Sequence, residues 1–465
     1  MSNAPPKPRD PTPADLLAYL PKQRWFGGKA RALCQVQFED RIPLNEQSID
    51  LLVCRVEFTA GADERYLLPV SVASGWDIDR VQRDHAEFVI AASHDAVVYD
   101  ATPVPDLWQT LLRLIGQQGR LVGERGNVTA HATTAFQELG GLEGPCDLHR
   151  HTRQQSHSSA HYGQRLMLKL FRKLADGRNP DHEIGEFLET VTPRAPVPPL
   201  AGWLEYHVGD QPAVTIALLQ QFVPNKSDAW TFTLGQLGGF CERLSSETAT
   251  EADDSQVAAI MGDGLDTAAL LGRRTGELHV ALGSNSVHPD FSPEAFAAAD
   301  QRALHQSMHA TVSRTFELLR QRLSALPSEL RADAERVAVM EPKLTEKLGQ
   351  LLSRPLMSRR IRVHGDYHLG QVLWTGSDFI IIDFEGEPDR PIVERRVKQS
   401  PLKDVAGMLR SFHYASHAGL MGLIPGITDH AALRPWLESW YVQSAAAFLR
   451  SYRKAVASSN LLPDD

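Results

Sequence analysis

The sequence predicts an α+β protein with a β-rich first half and a mostly helical second half, and three observations carry that reading. Period-two apolar alternation recurs between Gln35 and Ala73 and again between Gln164 and Val223. From Asp228 onward the apolar spacing turns helical. Inside that helical half, Thr375-Gly376-Ser377-Asp378 separates two β-rich runs, a hairpin signal.

Composition narrows the class. At 465 residues the chain has ample length for a buried core and for roughly three domain-sized units. The net charge of -9, with no basic block, recruits no nucleic-acid backbone. Cys34, Cys54, Cys146 and Cys241 form no Cys-x-x-Cys pair, which argues against zinc or a disulfide framework and for a reducing compartment. Met1 to Pro13 is polar and Pro-rich without an apolar core, and no run approaches a membrane span; the expected address is the cytoplasm.

In chain order, Pro13 to Leu20 reads as a short helix with Thr12 as N-cap and Pro13 at its first position. Gly27-Gly28-Lys29 lacks the upstream glycine and the following Ser or Thr of a phosphate loop. It reads as a turn beside the core-sealing pair Trp25 and Phe26. Gln35 to Ile42, Asp50 to Thr59, Glu64 to Ala73 and Ala96 to Tyr99 read as strands of a small domain without catalytic groups. Pro105 to Leu121 is expected to be helical, with Leu107, Trp108, Leu111, Leu112 and Ile115 on one face. A strand around His131 to Glu138 follows, then a polar loop with His149, His151, His157 and His161; a metal site is conceivable there, but the spacing is not helical and no carboxylate or thiol completes a set, which favours loop histidines.

Gln164 to Arg172 reads as a strand with Lys169 in an apolar run, a position that requires a partner. Asn179-Pro180-Asp181 starts the next helix, with Ile184, Phe187, Leu188 and Val191 as its buried stripe. Glu183 flanks that stripe and is the expected partner of Lys169; such a strand-lysine and helix-glutamate pair positions ATP phosphates in kinase-like folds. The preceding segment is expected to cover the phosphates without glycines, using Gln155, Ser156 and Ser158. Strands at Ala201 to Tyr206 and Val214 to Val223 end where Gln221 and Val223 present backbone groups to adenine. Helices are expected over Asp228 to Leu244, Asp266 to Leu282, Ser292 to about Leu326, Ser328 to Leu352 and Trp436 to Lys454, with another beginning near Asp404.

The hairpin brings Asp366, Gln371 and Asp383 together. Phosphoryl transfer needs such a set: an Asp that orients and deprotonates the acceptor hydroxyl, then an amide and a strand-end Asp for magnesium. Gln371 stands five residues after Asp366, and Asp383 closes the second run.

His364-Gly365-Asp366 with Asp383 resembles the aminoglycoside phosphotransferase and choline kinase group of the kinase-like fold. Four stretches narrow the likeness to bacterial maltokinases: 23–29, 168–184, 364–373 and 383–412. Gln371 replaces the broad family's Asn and agrees with maltokinases. The resemblance implies a bilobal protein-kinase-like fold, divided into a cap subdomain at 1–104, an ATP-binding lobe at 105–223 and a helical lobe at 224–465. It implies ATP and Mg2+, transfer to the anomeric hydroxyl of maltose to give maltose 1-phosphate, and a separate trehalose synthase as partner in a route to α-glucan. Candidate sugar contacts are Glu385, Arg395, Arg410, His413, Tyr452 and His368, with Asp404 bracing the catalytic loop. Two competing readings are a kinase of glucose or an amino sugar, its ammonium met by Glu385 or Glu387, and a silent kinase-like binding protein. The latter conflicts with the intact Lys169, Asp366 and Asp383.

Overall fold

The computed structural model describes residues 11–44, 49–143, 147–150, 157–246, 253–284, 287–388, 390–421 and 430–463. It divides into two compact units, one of Met1–Met261, His364–Arg396 and Arg410–Tyr441, the other of Gly262–Val363, Val397–Leu409 and Val442–Asp465.

The first unit begins with the Pro13–Tyr19 helix, closed by a capping box in which Thr12 and Asp15 satisfy each other's amides. Antiparallel strands Leu33–Pro43, Ile49–Phe58, Glu64–Ser74, Ala96–Asp100 and Val89–Ala92 follow in that spatial order, with Lys173–Leu174 added beside Glu64–Ser74. Strand alternation splits the sheet cleanly. Leu52, Cys54, Val56 and Phe58 join Leu16, Tyr19, Trp25 and Phe26 on one face, while Ile49, Leu51 and Val53 face the larger core.

That larger core is completed by the Pro105–Gly116 helix and a second, seven-stranded sheet. Its antiparallel order is Arg120–Val122, Asn127–Ala132, Leu200–His207, Val214–Gln221, Leu166–Phe171, His157–Tyr162, Leu148–Arg150. Leu107, Trp108, Leu111, Leu112 and Ile115 bury one helix face against it, each contributing about 1.5–3 kcal/mol if fully removed from water.

Several elements differ from the sequence expectation. The helix stops at Gly116 rather than Leu121, because Gln118 takes φ +50° and Gly119 turns back to donate to the Leu114 carbonyl at 3.0 Å. The strand expected at His131 to Glu138 is two elements, the Asn127–Ala132 strand and a Thr134–Glu138 helix. Three of the four loop histidines lie on strands: His149 in Leu148–Arg150, and His157 and His161 in His157–Tyr162. His151 lies outside the described residues.

A buried ion pair joins the two sheets. Arg172 and Asp100 are both fully enclosed and hydrogen-bonded to each other; Asp100 also accepts from the Thr102 amide at 2.9 Å and hydroxyl at 2.8 Å. The guanidinium lies 4.2 Å above the Trp25 ring. Removing one partner strands a buried charge, so Asp100→Ala is expected to cost about 3–5 kcal/mol in urea unfolding. Asp100→Asn with Arg172→Met should cost less than the sum of the two single changes.

In the second unit, the Asp263–Leu282 helix lies through its glycines against the stretch from Val442 to Val456 of the last helix. A Cβ on Gly272 would overlap the Phe448 carbonyl oxygen, and one on Gly276 would come within 2.5 Å of the Ala455 Cβ. Gly272→Ala is therefore expected to destabilise by about 1–3 kcal/mol, read as a lower thermal midpoint. The helix expected from Ser292 begins instead at Ala298, since Glu294–Ala295 pairs as a strand with Arg359–Arg360. The helix expected over Ser328 to Leu352 breaks between Ala338 and Glu341, where Pro342 lacks the amide needed to continue it.

Candidate functional site

Every group of the phosphoryl-transfer set belongs to the first unit. The loop before the hairpin is fixed by its histidine. Buried His364 bonds through Nε2 to the Ile382 carbonyl at 2.9 Å and packs against the Phe384 ring. Gly365 takes φ +87°, and a Cβ there would stand 3.4 Å from the Gly386 Cα. Glycine at that position lets the Asp366 loop lie against the segment after Asp383. His368 Nδ1 accepts the Gly370 amide at 3.0 Å and caps the Leu369–Gln371 turn; burial lowers its pKa. His368 thus holds the loop by its own ring.

Val372–Trp374 pairs with Phe379–Ile381 in the expected hairpin, and Ser227–Asp228 adds a third strand. One step beyond the ladder, the Ile382 amide donates to the Gln371 carbonyl at 3.0 Å, so Gln371 and Asp383 sit at the same hairpin end. Asp383 adopts φ +70°, a left-handed conformation that Asp tolerates better than most residues and that recurs at functional sites.

Opposite this hairpin end stands Lys169, from the middle of the Leu166–Phe171 strand. Its ammonium lies 3.0 Å from Asp181 Oδ2 and 3.2 Å from Asp383 Oδ1. Burial by itself pushes the Lys169 pKa down, but the charges of Asp181 and Asp383 override it and hold the ammonium above the ordinary lysine range. Burial likewise opposes ionisation of Asp383, and Lys169 overrides it, bringing the carboxyl down to about 2. For Glu385 the nearby charges of Lys169 and Arg395 do not prevail. Burial first, then the charge of Asp383, push it up to about 8. His157 is its neighbour, with Nδ1 4.0 Å from Glu385 Oε1.

The expected Lys169–Glu183 pair is replaced. Both oxygens of Glu183 are held by one edge of the Arg396 guanidinium, Nε at 2.9 Å and Nη2 at 2.6 Å. Helical phase explains the exchange. Two residues along a helix rotate a side chain by about 200°, so Asp181 and Glu183 leave opposite sides of the first turns. Asp181 and Arg396 are the residues sequence reasoning missed. The position of Asp181 just after the Asn179 cap was the available signal.

The remaining candidates separate. Gln155 and Ser156 lie outside the described residues; Ser158 is on the His157–Tyr162 strand, opposite Leu170. The Gln221 amide donates to the Pro199 carbonyl at 2.9 Å, and the Val223 carbonyl accepts from the Asn225 side chain at 2.9 Å. Arg395 turns its guanidinium onto the Arg390, Pro388 and Glu385 carbonyls at 2.7, 2.9 and 3.4 Å, folding its own loop where a sugar contact was expected. Arg410 is exposed and bonds the Tyr414 hydroxyl, and the exposed His413 ring packs at a tilt against His417. Tyr452, in the second unit, is fully enclosed and bonds His279 at 3.0 Å, so it presents no hydroxyl to a ligand. His279 in turn bonds Asp404 at 3.2 Å, which ties the start of the Leu402–Leu420 helix to the Asp263–Leu282 helix.

Asp383 and the Gln371 amide are hard oxygen donors of the kind Mg2+ accepts, with its remaining sites left to phosphate and water. The charge balance also fits a cation: two carboxylates, Asp181 and Asp383, face one ammonium. Among the described residues no group of three or more His, Cys, Asp or Glu side chains is arranged to hold a metal by itself.

Residues 19–103 match the Maltokinase N-terminal cap domain, and residues 245–436 match the Phosphotransferase enzyme family. A glucosamine kinase of Streptacidiphilus jiangxiensis is 27% identical over 259 residues, 55% of this chain and 50% of that protein. A glucosamine kinase of Mycolicibacterium smegmatis is 27% identical over 216 residues, 46% of each chain. The chain thus spans about half the length of the curated relatives it matches. In solved structures, glucosamine kinase in complex with glucosamine, ADP and inorganic phosphate superposes with TM-score 0.60 at 20% identity, covering 92% of this chain and 85% of that one. A second glucosamine kinase crystal form gives 0.62 at 20% identity, covering 94% and 86%. The chain therefore shares the fold of these glucosamine kinase structures, and it carries a match to the Maltokinase N-terminal cap domain at residues 19–103 and a match to the Phosphotransferase enzyme family at residues 245–436.

Proposed function

We propose that the protein is an ATP-dependent sugar kinase that transfers the γ-phosphoryl group to the anomeric hydroxyl of maltose, giving maltose 1-phosphate. The observation that carries the kinase reading is Lys169 held between Asp181 and Asp383, beside the loop that bears Asp366. The maltokinase-type cap favours maltose.

In this reading Asp366 accepts the proton of the sugar hydroxyl and aligns its oxygen for in-line attack. Lys169 steadies the phosphates, and Asp383 with Gln371 would hold Mg2+. Mg2+, when bound, neutralises charge on the phosphate oxygens. Most of the rate enhancement then comes from positioning and charge compensation.

A second reading, phosphorylation of glucosamine, is favoured by the relatives of that name and by Glu385, a carboxyl beside Asp383 able to meet an ammonium. One assay separates the two. A panel of sugars with ATP and Mg2+, the phosphorylated carbon located by NMR, should give maltose 1-phosphate. Exclusive turnover of glucosamine would replace the acceptor assignment, and no phosphorylated sugar at all would overturn the kinase reading. A cytoplasmic location and a separate trehalose synthase as partner belong to the same proposal. Failure of purified trehalose synthase to retain the chain in a pull-down would remove the partner.

A further inference from the structure

The Pro180–Glu189 helix sends two acids in different directions from its first turns, and both reach the segment around Asp383. Asp181 is fully enclosed. One of its oxygens faces Lys169 at 3.0 Å, and the other accepts the Phe384 amide at 3.3 Å. Its own amide is held by the Asn179 cap at 2.8 Å. An acid in the first turn is also favoured by the positive end of the helix. A buried carboxylate satisfied on both oxygens is fixed in place, and so are the groups that satisfy it.

Resting on the kinase reading, we infer that Asp181, and not Glu183, is the positioning residue for Lys169, and that the same carboxylate holds the turn that presents Asp383. The Phe384 amide follows immediately after Asp383, whose left-handed backbone persists only when its surroundings hold it. One carboxylate therefore sets the lysine and the strand-end acid relative to each other. Glu183 does different work: through Arg396 it anchors the chain after the hairpin to the same helix. Without the Asp181 charge, Lys169 keeps its ion pair with Asp383, and that pairing competes with a cation for the same oxygen.

The test is a pair of double-mutant cycles on the full chain, reading ADP–Mg2+ affinity by calorimetry and kcat/KM for ATP with the sugar that the panel identifies. Asp181→Asn keeps an oxygen for the Phe384 amide, and toward Lys169 it replaces a charged acceptor with an uncharged N–H donor. It should lower kcat/KM for ATP by about ten- to hundredfold, the range for losing a charged hydrogen bond. It should also raise the Mg2+ concentration for half-maximal rate. In a Lys169→Met background, Asp181→Asn should add little, whereas the effect of Glu183→Gln should add in full. The reverse, an additive Asp181→Asn and a Glu183→Gln whose effect vanishes with Lys169→Met, overturns the assignment. If Asp181→Asn melts before assay, the Glu183→Gln cycle still decides: additivity supports the assignment and strong coupling overturns it. Failure of the unaltered chain to bind ADP–Mg2+ would remove the kinase reading and this assignment together, an outcome distinct from either cycle.

Discussion

Asp366→Asn is expected to lower kcat by about a thousandfold or more, with KM for ATP moving only a few fold, the size of a combined proton-transfer and alignment loss. The substitution preserves shape, so the fold should not feel it. Asp366 is half-buried, and its amide approaches His364 Nδ1 at 3.4 Å through the backbone, independent of the carboxylate. What the amide side chain loses is the ability to take a proton and to align the acceptor oxygen. The loop is already held at His364, at His368 and at the Leu369 amide, which donates to Ser411 Oγ at 3.1 Å. A normal melting curve with collapsed turnover is the expected pair of results. Turnover near that of the unaltered chain would move the acid–base role to another residue.

Much of this arrangement is written in local sequence. The hairpin register follows from a Thr-Gly-Ser-Asp turn between two β-rich runs, and the Asp366 loop, Gln371 and Asp383 inherit their placement from it. The Thr12 and Asn179 caps are likewise local: each needs only a side-chain oxygen and an amide two or three residues on. Partners chosen across the chain are another matter. Lys169 in an apolar strand demands an acid, but period and burial leave Asp181 and Glu183 both available; helical phase near the N-cap decides between them. Arg396 lies 213 positions from the Glu183 it grips, and no spacing rule links such residues. Arg172 and Asp100 form the buried pair between sheets for the same non-local reason. Tyr452 was the opposite case: a polar-tipped aromatic on an amphipathic helix reads equally as cleft or core, and His279 takes its hydroxyl into the core.

Asp383→Ala should abolish magnesium-dependent ATP turnover, with no recovery at high Mg2+, while Asp383→Asn should retain a small residue of activity. Two losses combine in the alanine variant. The carboxylate that would anchor the cation disappears, and Lys169 keeps Asp181 alone, so its ammonium is drawn away from the hairpin end. Alanine also fits φ +70° less well than aspartate or asparagine, a backbone penalty on the order of 1 kcal/mol that loosens the turn itself. Asparagine keeps that backbone tolerance and one hard oxygen, so the difference between the two variants measures the charge separately from the turn. Chelating Mg2+ from the unaltered protein should bring its rate down to the alanine level. If Asp383→Ala still turns over ATP in proportion to added Mg2+, the cation is held by other oxygens, and Glu385, already crowded against Asp383, becomes the first to test.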